Sequence, residues 1–488
     1  MKQKKYFYER SNLLESKVNI NFENLLWMDD SETNNWIYEM RNFILSQWDN
    51  EGIPPTIGQS ENKIKLNFRK LRDYNIQQFL VSDDDGNENV IKNYNKFASG
   101  VNQFFPTMLK TVVGNSSIYD WFTDEYKDRF NKVIMRILKR DSMYNFSKCI
   151  LKDEYKNGLE FINSTDEEWF IVQQTKVTNP EHLVLTTDEI KKLNIDSKRL
   201  TNVLEYDDDK YTYYIRRFEL GQKIFPAGIQ AFRLGLGQPA VNFPPLTARW
   251  IYENYTKHIP KEDTLNIYDP SSGWGGRILG AMASHRKIHY IGTDPNTDNF
   301  IDELNITRYE YVADFFNNKC LETNSFWEED KNTHHIFQEG SEHIGNHKDF
   351  QQYKGKLDLV FTSPPYFDRE QYSDDDEQSF KAYPQYEDWR DNFLKPTLEN
   401  AFYSLRNDRY LLWNIADIKI GKDKFYPLEQ DSIDILTNLG MEYQGKLKML
   451  MTRMIGLDPS SSGIKNSVKM KGEYYKYEPI FIFYKKKA

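Results

Sequence analysis

Cysteine is nearly absent from this sequence: the 488 residues include two, Cys149 and Cys320. Neither lies in a CxxC pattern or beside a cluster of histidines, which excludes a disulfide framework and a zinc site of the usual spacing. No run of about 20 apolar residues occurs, so the sequence predicts no membrane span. The N-terminal stretch is basic, but no apolar segment of the kind found in secretory signals follows it. These absences together predict a protein of the reducing cytoplasm.

An excess of basic residues is also missing. The chain has 64 Lys and Arg against 73 Asp and Glu, a formal net charge of −9 at pH 7. This balance excludes a protein that coats nucleic acid with its whole surface, so any nucleic-acid site must be a local basic face. The sequence does have 39% hydrophobic and 15% aromatic residues, enough to bury a sizeable core. Its length allows two or three domains of about 150 residues each.

The pattern of apolar residues changes near residue 210. Before it, apolar residues recur at helical spacing, as in NNWIYEMRNFILSQW, which predicts a mainly helical N-terminal domain over residues 1–210. The acidic stretch NVLEYDDDKY (202–211) marks the boundary. From 216 to 488, short apolar runs alternate with helical patterns, which predicts a Rossmann-like doubly wound α/β sheet of about seven strands. In such sheets ligands bind beyond the carboxyl ends of the strands, so the strand endings are the places to search for a site.

The first strand ending is IYDPSSGWGGRILGA, where a predicted strand stops at Asp269 and Gly273, Gly275 and Gly276 lead into a helix. Glycines at such a turn let the backbone pass close to a ligand, with the N-terminus of a helix behind it. The same pattern also suits an ordinary strand-to-helix turn. A phosphate-binding P-loop is excluded because the GxxxxGK[ST] pattern is absent.

The second strand ending is HYIGTDPN, which stops at Asp294. An acid at the end of the second strand of such a sheet is placed to accept hydrogen bonds from ribose hydroxyls. The alternative is a solvated turn acid before Pro295.

The third strand ending is DLVFTSPPYF (358–367), where an apolar strand stops at two prolines and presents an aromatic ring. With DPSSGWGG at the first strand ending, TSPPY resembles the amino-group DNA methyltransferases. These enzymes transfer the methyl group of S-adenosylmethionine to N4 of cytosine or N6 of adenine. The resemblance covers residues 216–488, a little over half of the chain, and implies a Rossmann-like methyltransferase domain there. A rigid turn after an edge strand is the purely structural alternative.

The tetrapeptide suits the chemistry that the resemblance implies. Methyl transfer to an exocyclic amine is an in-line displacement, so alignment of the two reactants matters most. Pro364 and Pro365 stiffen the backbone, so that the carbonyls of Ser363 and Pro364, with the Ser363 hydroxyl, can accept the amine hydrogens and stabilise the developing positive charge. The ring of Tyr366 can stack on a base that has been flipped out of the duplex.

The resemblance also implies where S-adenosylmethionine binds. The glycine loop, with Asp269, Gly273 and Gly275, wraps its methionine part, and Asp294 binds its ribose. Ser271 stands where the family usually has a large apolar residue. Two further segments supply candidate contacts, one before the glycine loop and one after the third strand: Pro244, Leu246 and Thr247, and Ser341 with Glu339 or Glu342.

The order apolar-Thr-Ser-Pro-Pro-Tyr resembles the cytosine-N4 enzymes more than the adenine-N6 enzymes, which favours cytosine. Methylation at C5 is excluded because it needs a cysteine nucleophile, and neither cysteine ends a strand beside a proline. Bases of RNA or a protein glutamine stay open as acceptors, because related Pro-Pro-Tyr tetrapeptides act on both. A non-catalytic DNA-binding scaffold is a third reading. The sequence leaves open host-genome marking, restriction or protection of phage DNA, in a bacterial cytoplasm or that of a phage host.

DNA is the expected partner, and local basic groups are its candidate contacts. Each group is equally compatible with a solvated face of the protein. The acidic, tyrosine-rich stretch at residues 367–389, called here the acidic insertion, is expected to close over the site. No metal is predicted. The candidate nucleic-acid contacts lie in two N-terminal helices and in a loop before the last strand: Lys63 and Arg69; Arg129, Lys132 and Arg136; and Lys465, Lys469 and Lys471.

Overall fold

A computed structural model describes most of the chain. The described residues are 30–51, 54, 61–92, 97–143, 184–186, 202–206, 210–214, 236–237, 239–302, 304–321, 332–367, 370–373, 375–376, 378–420, 424–454 and 466–487.

These residues belong to two compact units that interleave along the chain. The first unit contains the described parts of 59–114 and 240–488, and the second those of 9–58 and 115–239. This division differs from the predicted one near residue 210, because residues 59–114 lie with the C-terminal half of the chain.

The α-helices of the described residues, in chain order, are α1 (Asp30–Glu51), α2 (Glu61–Asp73), α3 (Ser99–Asn102), α4 (Ile118–Trp121), α5 (Lys127–Met143), α6 (Pro245–Tyr255), α7 (Gly276–Met282), α8 (Arg308–Phe315), α9 (Ser379–Ala382), α10 (Tyr386–Trp389), α11 (Lys395–Ser404) and α12 (Leu428–Asn438). Shorter helical segments are Pro106–Leu109, Asp124–Tyr126, Thr297–Asn299, Ile344–Asn346 and Phe350–Tyr353, which are 3-10 turns, and Phe316–Cys320 and Arg390–Leu394, which are π-helical.

The strands are β1 (Leu80–Val81), β2 (Val90–Ile91), β3 (Val112–Val113), β4 (Val184–Thr186), β5 (Asn202–Tyr206), β6 (Lys210–Tyr214), β7 (Leu265–Asp269), β8 (Ile288–Thr293), β9 (Phe300–Ile301), β10 (Ile306–Thr307), β11 (Thr333–Phe337), β12 (Leu357–Thr362), β13 (Glu370–Gln371), β14 (Leu405–Asn414), β15 (Ile418–Ile420), β16 (Lys424–Tyr426), β17 (Glu442–Arg453), β18 (Ser467–Met470) and β19 (Glu473–Lys485).

The first unit is built on a ten-stranded sheet in the order β1-β2-β17-β19-β14-β12-β7-β8-β11, with β18 paired to β19. Strands β11, β8, β7, β12 and β14 are parallel, and β19 runs antiparallel to its neighbours β14 and β17. The chain proceeds outward from β7 to β8 and β11, and then continues on the other side of β7 with β12 and β14. This reversal defines a doubly wound α/β sheet, so the predicted Rossmann-like fold class is confirmed, and it puts the expected ligand crevice beside β7.

Strand β12 shows why the sequence folds in this way. All six of its residues, LDLVFT, are buried, and it pairs with β7 on one side and β14 on the other. A parallel strand covered on both faces is a continuous apolar run, without polar residues at every second position. The carboxylate of Asp358 at its start is neutralised by Arg406 at 2.9 Å and Arg409 at 3.3 Å.

Part of the sheet continues past the carboxyl ends of the parallel strands. The last residue of β14, Asn414, is opposite Ile480, so the residues of β19 before 480 lie beyond that edge. Strand β18 pairs only with this outer part of β19, and β2 pairs with β17 at Lys448 and Met449. We call this region the sheet extension; it consists of β1, β2, residues 448–453 and residues 467–479, which include β18 and the turn after it.

The second unit contains long helices and a small sheet. In α1, Trp48 is fully buried and lies 4.9 Å from the ring of Tyr119. The buried guanidinium of Arg41 donates hydrogen bonds to the carbonyl of Phe122 at 3.0 Å and to the carboxylate of Asp124 at 2.9 Å. Strands β4, β6 and β5 form a three-stranded antiparallel sheet. A mainly helical N-terminal domain stays a prediction, because many of its residues lie outside the described part.

Among the described residues, no α-helix combines the length and the apolar character that crossing a bilayer requires. In the same part of the chain, no three or more His, Cys, Asp or Glu residues form a group that could hold a metal ion.

Candidate functional site

A cleft of the first unit lies at the carboxyl ends of the parallel strands. It encloses about 610 Å³ of space, part of it open to solvent. Residues from the loops after β7, β8, β11 and β12 line it, together with residues of the acidic insertion and one residue of the π-helical segment that follows the insertion: Pro270, Ser271, Gly273 and Trp274; Asp294, Pro295, Asn296 and Asn299; Gly340, Ser341 and Glu342; Ser363 and Pro365; Tyr372, Gln378 and Ser379; and Phe393.

The glycine loop after β7 is held in a conformation that needs glycine. Gly273 and Gly275 have φ angles of 62° and 76°, in the left-handed region, and α7 begins directly after them. A Cβ at Gly275 would clash with the ring of Phe105. Asn242 holds the loop from its other side, donating to the carbonyl of Trp274 at 2.6 Å and accepting from the backbone N–H of Gly276 at 3.2 Å.

The fully buried carboxylate of Asp269 joins the glycine loop to two neighbouring strands. It accepts hydrogen bonds from Arg277 Nε at 2.7 Å, Tyr290 Oη at 2.6 Å and Thr362 Oγ1 at 2.6 Å. Burial and the Asp269 carboxylate hold the pKa of Tyr290 well above its usual value, so this hydroxyl stays protonated and can donate. Arg277 also donates to the carbonyl of Ser271. Asp269 therefore orders the loop that lines the cleft, without lining it itself.

Asp294, at the end of β8, lies at the cleft with its carboxylate partly buried. Asn299 Nδ2 donates to it at 2.7 Å, and the backbone N–H of Asn296 donates at 3.1 Å. The hydroxyl of Tyr309 lies within hydrogen-bonding distance of both the Asp294 carboxylate and the carbonyl of Gly273. Burial raises the pKa of Asp294 to about 6, although the hydrogen bonds lower it. A carboxylate is thus ready to accept hydrogen bonds from a ligand at neutral pH.

The tetrapeptide follows β12 directly, as predicted. Ser363 and Pro365 line the cleft, whereas Pro364, which is buried, and Tyr366 are not among its lining residues. Tyr366 packs against the core cluster of the sheet, and its hydroxyl donates to Glu478 Oε1 at 2.5 Å. Through Thr362, the residue before the tetrapeptide, this strand ending is tied to Asp269 and to the backbone N–H of Ser271 at 3.2 Å.

The loop after β11 supplies the third wall of the cleft. Ser341 and Glu342 line it and are buried, with Ser341 Oγ 2.9 Å from Thr397 Oγ1. Asn400 Nδ2 donates to the carbonyl of Ser341 at 2.9 Å. Of the two acids considered from the sequence, Glu342 is at the cleft, and Glu339 is not among its lining residues.

The acidic insertion covers part of the cleft with Tyr372, Gln378 and Ser379. Tyr372 packs on Trp274 of the glycine loop, with ring centroids 5.4 Å apart. The Asp375 carboxylate accepts hydrogen bonds from the backbone N–H and hydroxyl of Thr297, each at 2.8 Å. Described residues of the insertion therefore form part of the lining of the cleft.

Other predicted cofactor contacts are not among the residues that line the cleft. Pro244 precedes α6, and Thr247 is buried in it, with its hydroxyl 3.4 Å from the carbonyl of Lys92. Gly275 is covered by Phe105.

The predicted nucleic-acid residues that the structure describes belong to α2, the sheet extension and α5. Lys63 and Arg69 are exposed on α2, and Lys469 and Lys471 are exposed on the sheet extension. Arg129 and Lys132 are on α5 of the second unit. Lys465 and the side chain of Arg136 lie outside the described part of the chain.

Several residues that shape the site were missed by the sequence analysis. The segment 97–113 packs on the glycine loop through Phe105, whose ring lies 5.0 Å from that of Tyr309. Thr107 donates to Asn299 Oδ1 at 3.0 Å, and β3 pairs with β13 of the acidic insertion. These contacts join positions far apart in the chain, so no local sequence pattern predicts them. Arg277 is different, because a charged residue within the apolar helix that follows the glycines indicates a buried partner of opposite charge.

The similarity of this chain to known proteins is remote. A candidate DNA modification methylase of Thermus thermophilus, solved with S-adenosyl-L-methionine, is 16% identical over 31% of this chain and 52% of that one, with a TM-score of 0.21. A candidate rRNA methylase of Clostridium thermocellum is 12% identical over 51% of this chain and 99% of that one, with a TM-score of 0.26. A SAM-dependent methyltransferase of Methanosarcina mazei is 12% identical over 49% of this chain and 98% of that one, also with a TM-score of 0.26. This chain spans about half the length of the first of these.

No protein-family model matches the chain, and no curated protein matches it. The function is therefore inferred from the residues of the site.

We expect Asp269→Ala to lower the free energy of unfolding by about 3–5 kcal/mol, because it leaves the guanidinium of Arg277 buried without its carboxylate. Urea denaturation measures the loss. Asp263→Ala, at an exposed acid before β7, is the control and should change the value by less than about 0.5 kcal/mol. A loss below about 1 kcal/mol for Asp269→Ala would contradict the central place given to this carboxylate.

Proposed function

We propose that this protein transfers a methyl group from S-adenosylmethionine to an exocyclic amine of a DNA base, with N4 of cytosine favoured over N6 of adenine. One observation carries the proposal. The glycine loop, Asp294 and Ser363, singled out separately from three strand endings, line one cleft. Each of them has a different part to play in the same transfer reaction.

The residues of the cleft fit S-adenosylmethionine by their chemistry. The turn at Gly273 and Gly275 brings backbone close to the cleft, as a ligand with an amino acid end requires. The Asp294 carboxylate is suited to the two hydroxyls of a ribose. Ser341 and Glu342, which the resemblance expects near the adenine, also line the cleft, and a carboxylate can accept hydrogen bonds from the exocyclic amine of adenine.

Gln378 gives a further test of this fit. Its side chain is 5% exposed and belongs to the lining of the cleft. Within the described part of the chain, its Nε2 has no hydrogen-bond acceptor. A buried amide donor left without an acceptor is costly, so a ligand acceptor is expected opposite it. The ring nitrogens of adenine are acceptors of this kind.

When bound, S-adenosylmethionine supplies a methyl group on a sulfonium, open to in-line attack by an amine. The protein aligns the target amine with the methyl group and stabilises the charge that develops on the amine. The carbonyls of Ser363 and Pro364, with the Ser363 hydroxyl, accept the hydrogens of the target amine, and the two prolines keep those carbonyls in place. They stabilise the positive charge that grows on the amine nitrogen. The acidic insertion limits the access of water to the cleft.

DNA as the substrate rests on the tetrapeptide and on the surroundings of the cleft. Lys469 and Lys471 are exposed on the sheet extension, which continues past the carboxyl ends of the parallel strands, the edge at which the cleft lies. Lysines there are suited to contact phosphates while a base enters the cleft. The extension also carries Tyr474, whose ring lies 5.8 Å from Lys469 Nζ, an aromatic surface next to a cation.

Incubation with methyl-labelled S-adenosylmethionine and unmodified duplex DNA, followed by nucleoside mass spectrometry, tests the function. We expect label in N4-methylcytosine. Ser363→Ala should lower the rate about tenfold, the value of one neutral hydrogen bond in the transition state. Thr264→Ala, at the amino end of β7, should leave the rate unchanged.

Other results of this experiment have defined meanings. Label in N6-methyladenine would keep the DNA substrate and reverse the preferred base. Label in RNA or in a protein glutamine, supplied in parallel reactions, would replace the substrate. Binding of S-adenosylhomocysteine without transfer to any of these acceptors would favour the non-catalytic scaffold.

The affinity for S-adenosylhomocysteine should fall as the pH is lowered through about 6, because protonated Asp294 accepts ribose hydrogen bonds poorly. The sign follows from the raised pKa: the carboxylate is ionised above it and neutral below it. Isothermal titration calorimetry between pH 5 and pH 8 measures this dependence.

Asp294→Asn should bind more weakly and lose the dependence on pH, whereas Asp298→Asn, at an exposed acid in the same loop, should retain it. If Asp294→Asn kept the wild-type pH profile, another group would be responsible.

Gln378→Leu should weaken binding of S-adenosylhomocysteine about tenfold, as expected for the loss of one hydrogen bond to a ligand. The same calorimetry measures it, with Gln385→Leu at an exposed position of the acidic insertion as the control. Unchanged affinity would mean that Nε2 of Gln378 does not contact the cofactor.

A further inference from the structure

The hydroxyl of Tyr366 is engaged inside the protein. It donates to Glu478 Oε1 at 2.5 Å, and both side chains are partly buried. Burial raises the pKa of Tyr366 well above its usual value, and the nearby Glu478 carboxylate raises it further, so the phenol stays a donor. A hydrogen bond from a hydroxyl to a carboxylate at this distance is of the short, charge-assisted kind. It fixes the far end of a ring that could otherwise turn about two side-chain bonds.

Glu478 reaches Tyr366 because of the sheet extension. It stands on β19 two residues beyond Ile480, which is opposite the last residue of β14. The next residue, Pro479, has no backbone N–H to donate to a neighbouring strand. Because Pro479 lies past the end of β14, no carbonyl of that strand is left without a donor at this position. Its carbonyl accepts a hydrogen bond from Asn414 Nδ2 at 2.9 Å. The carboxyl end of β14 thus holds β19 at the residue beside Glu478.

Glu478 carries no ion pair within the described part of the chain, and burial raises its pKa. The lysines of the same region are used elsewhere. Lys448 binds Asp83 at 2.9 Å, and Lys446 lies over the ring of Tyr477 at 5.5 Å. Burial of a carboxylate costs free energy unless the carboxylate is hydrogen-bonded. The hydroxyl of Tyr366 supplies such a bond to Glu478, so we expect Glu478 to act on the site through Tyr366.

We infer that Glu478 is a positioning residue for the methyl transfer, holding the ring of Tyr366 in the orientation on which the flipped base stacks. The inference rests on the proposed function. Stacking on the ring fixes the height and the tilt of the base, and the exocyclic amine of the base must reach the carbonyls of the tetrapeptide. A ring displaced by about 1 Å can cost a factor of about 100 in rate. The contribution of Glu478 is therefore to kcat, with little effect on cofactor affinity.

Three variants separate the components of this pair. Tyr366→Phe keeps the ring and removes the hydroxyl, Glu478→Ala removes the acceptor, and Glu478→Gln keeps an acceptor oxygen without the charge. Methyl transfer to unmodified duplex DNA gives kcat and KM, and calorimetry gives the affinity for S-adenosylhomocysteine. The matched control is Tyr386→Phe, which breaks a tyrosine–carboxylate hydrogen bond of 2.6 Å to Asp431 in the core of the same unit.

We expect Tyr366→Phe and Glu478→Ala each to lower kcat about tenfold, with KM and cofactor affinity changed less than about threefold. Glu478→Gln should recover most of kcat. The double variant Tyr366→Phe with Glu478→Ala should be no slower than either single variant, because both remove one shared interaction. Tyr386→Phe should retain wild-type kcat.

Each contrary result has its own meaning. Wild-type kcat in Glu478→Ala, or additive losses in the double variant, would overturn the positioning role while leaving the proposed function intact. No transfer by the wild-type protein to DNA would refute the proposed function, and the inference with it. If Glu478→Ala does not fold, Tyr366→Phe and Glu478→Gln decide the question, and an unchanged kcat in Tyr366→Phe contradicts the inference.

Discussion

The carboxylate of Asp269 is the interaction on which the site depends. A buried charge is costly unless it is paired and hydrogen-bonded, and this one is bound by Arg277, Tyr290 and Thr362. Its partners belong to α7, β8 and β12, so one group fixes the ends of three elements relative to each other. The cleft lies directly beyond those ends. The accurate placement of the glycine loop and the tetrapeptide follows from this network.

Two segments outside the parallel strands complete the site. The segment 97–113 covers the glycine loop and pairs with the acidic insertion. The sheet extension brings Glu478 to Tyr366 and exposes lysines beyond the carboxyl ends of the parallel strands. Because residues 59–114 share the compact unit of the sheet, the catalytic unit that we propose is assembled from two stretches of chain. This arrangement lets residues distant in sequence adjust the geometry of one cleft.

The strand endings could be predicted because their signals are local. Gly273 and Gly275 adopt φ angles that other residues rarely do, and a polar residue stopping an apolar run marks the edge of a buried strand. The role of Asp269 could not be predicted in full. The sequence suggested a contact with the cofactor, whereas its carboxylate is satisfied within the protein.

Contacts between distant residues were beyond the reach of local patterns. Tyr366 and Glu478 are 112 positions apart. Pro479 even argues against a central strand, and it is tolerated because its neighbour β14 ends at that level. The grouping of residues 59–114 with the sheet also depends on tertiary contacts, for which the change of pattern near residue 210 gave no signal.

A crystal structure of the protein with S-adenosylhomocysteine tests the central claim most directly. The account predicts that the ligand occupies the cleft, with its ribose hydroxyls about 3 Å from the Asp294 carboxylate and its sulfur facing Ser363. A ligand bound elsewhere, or one in the cleft with its ribose turned away from Asp294, would contradict it.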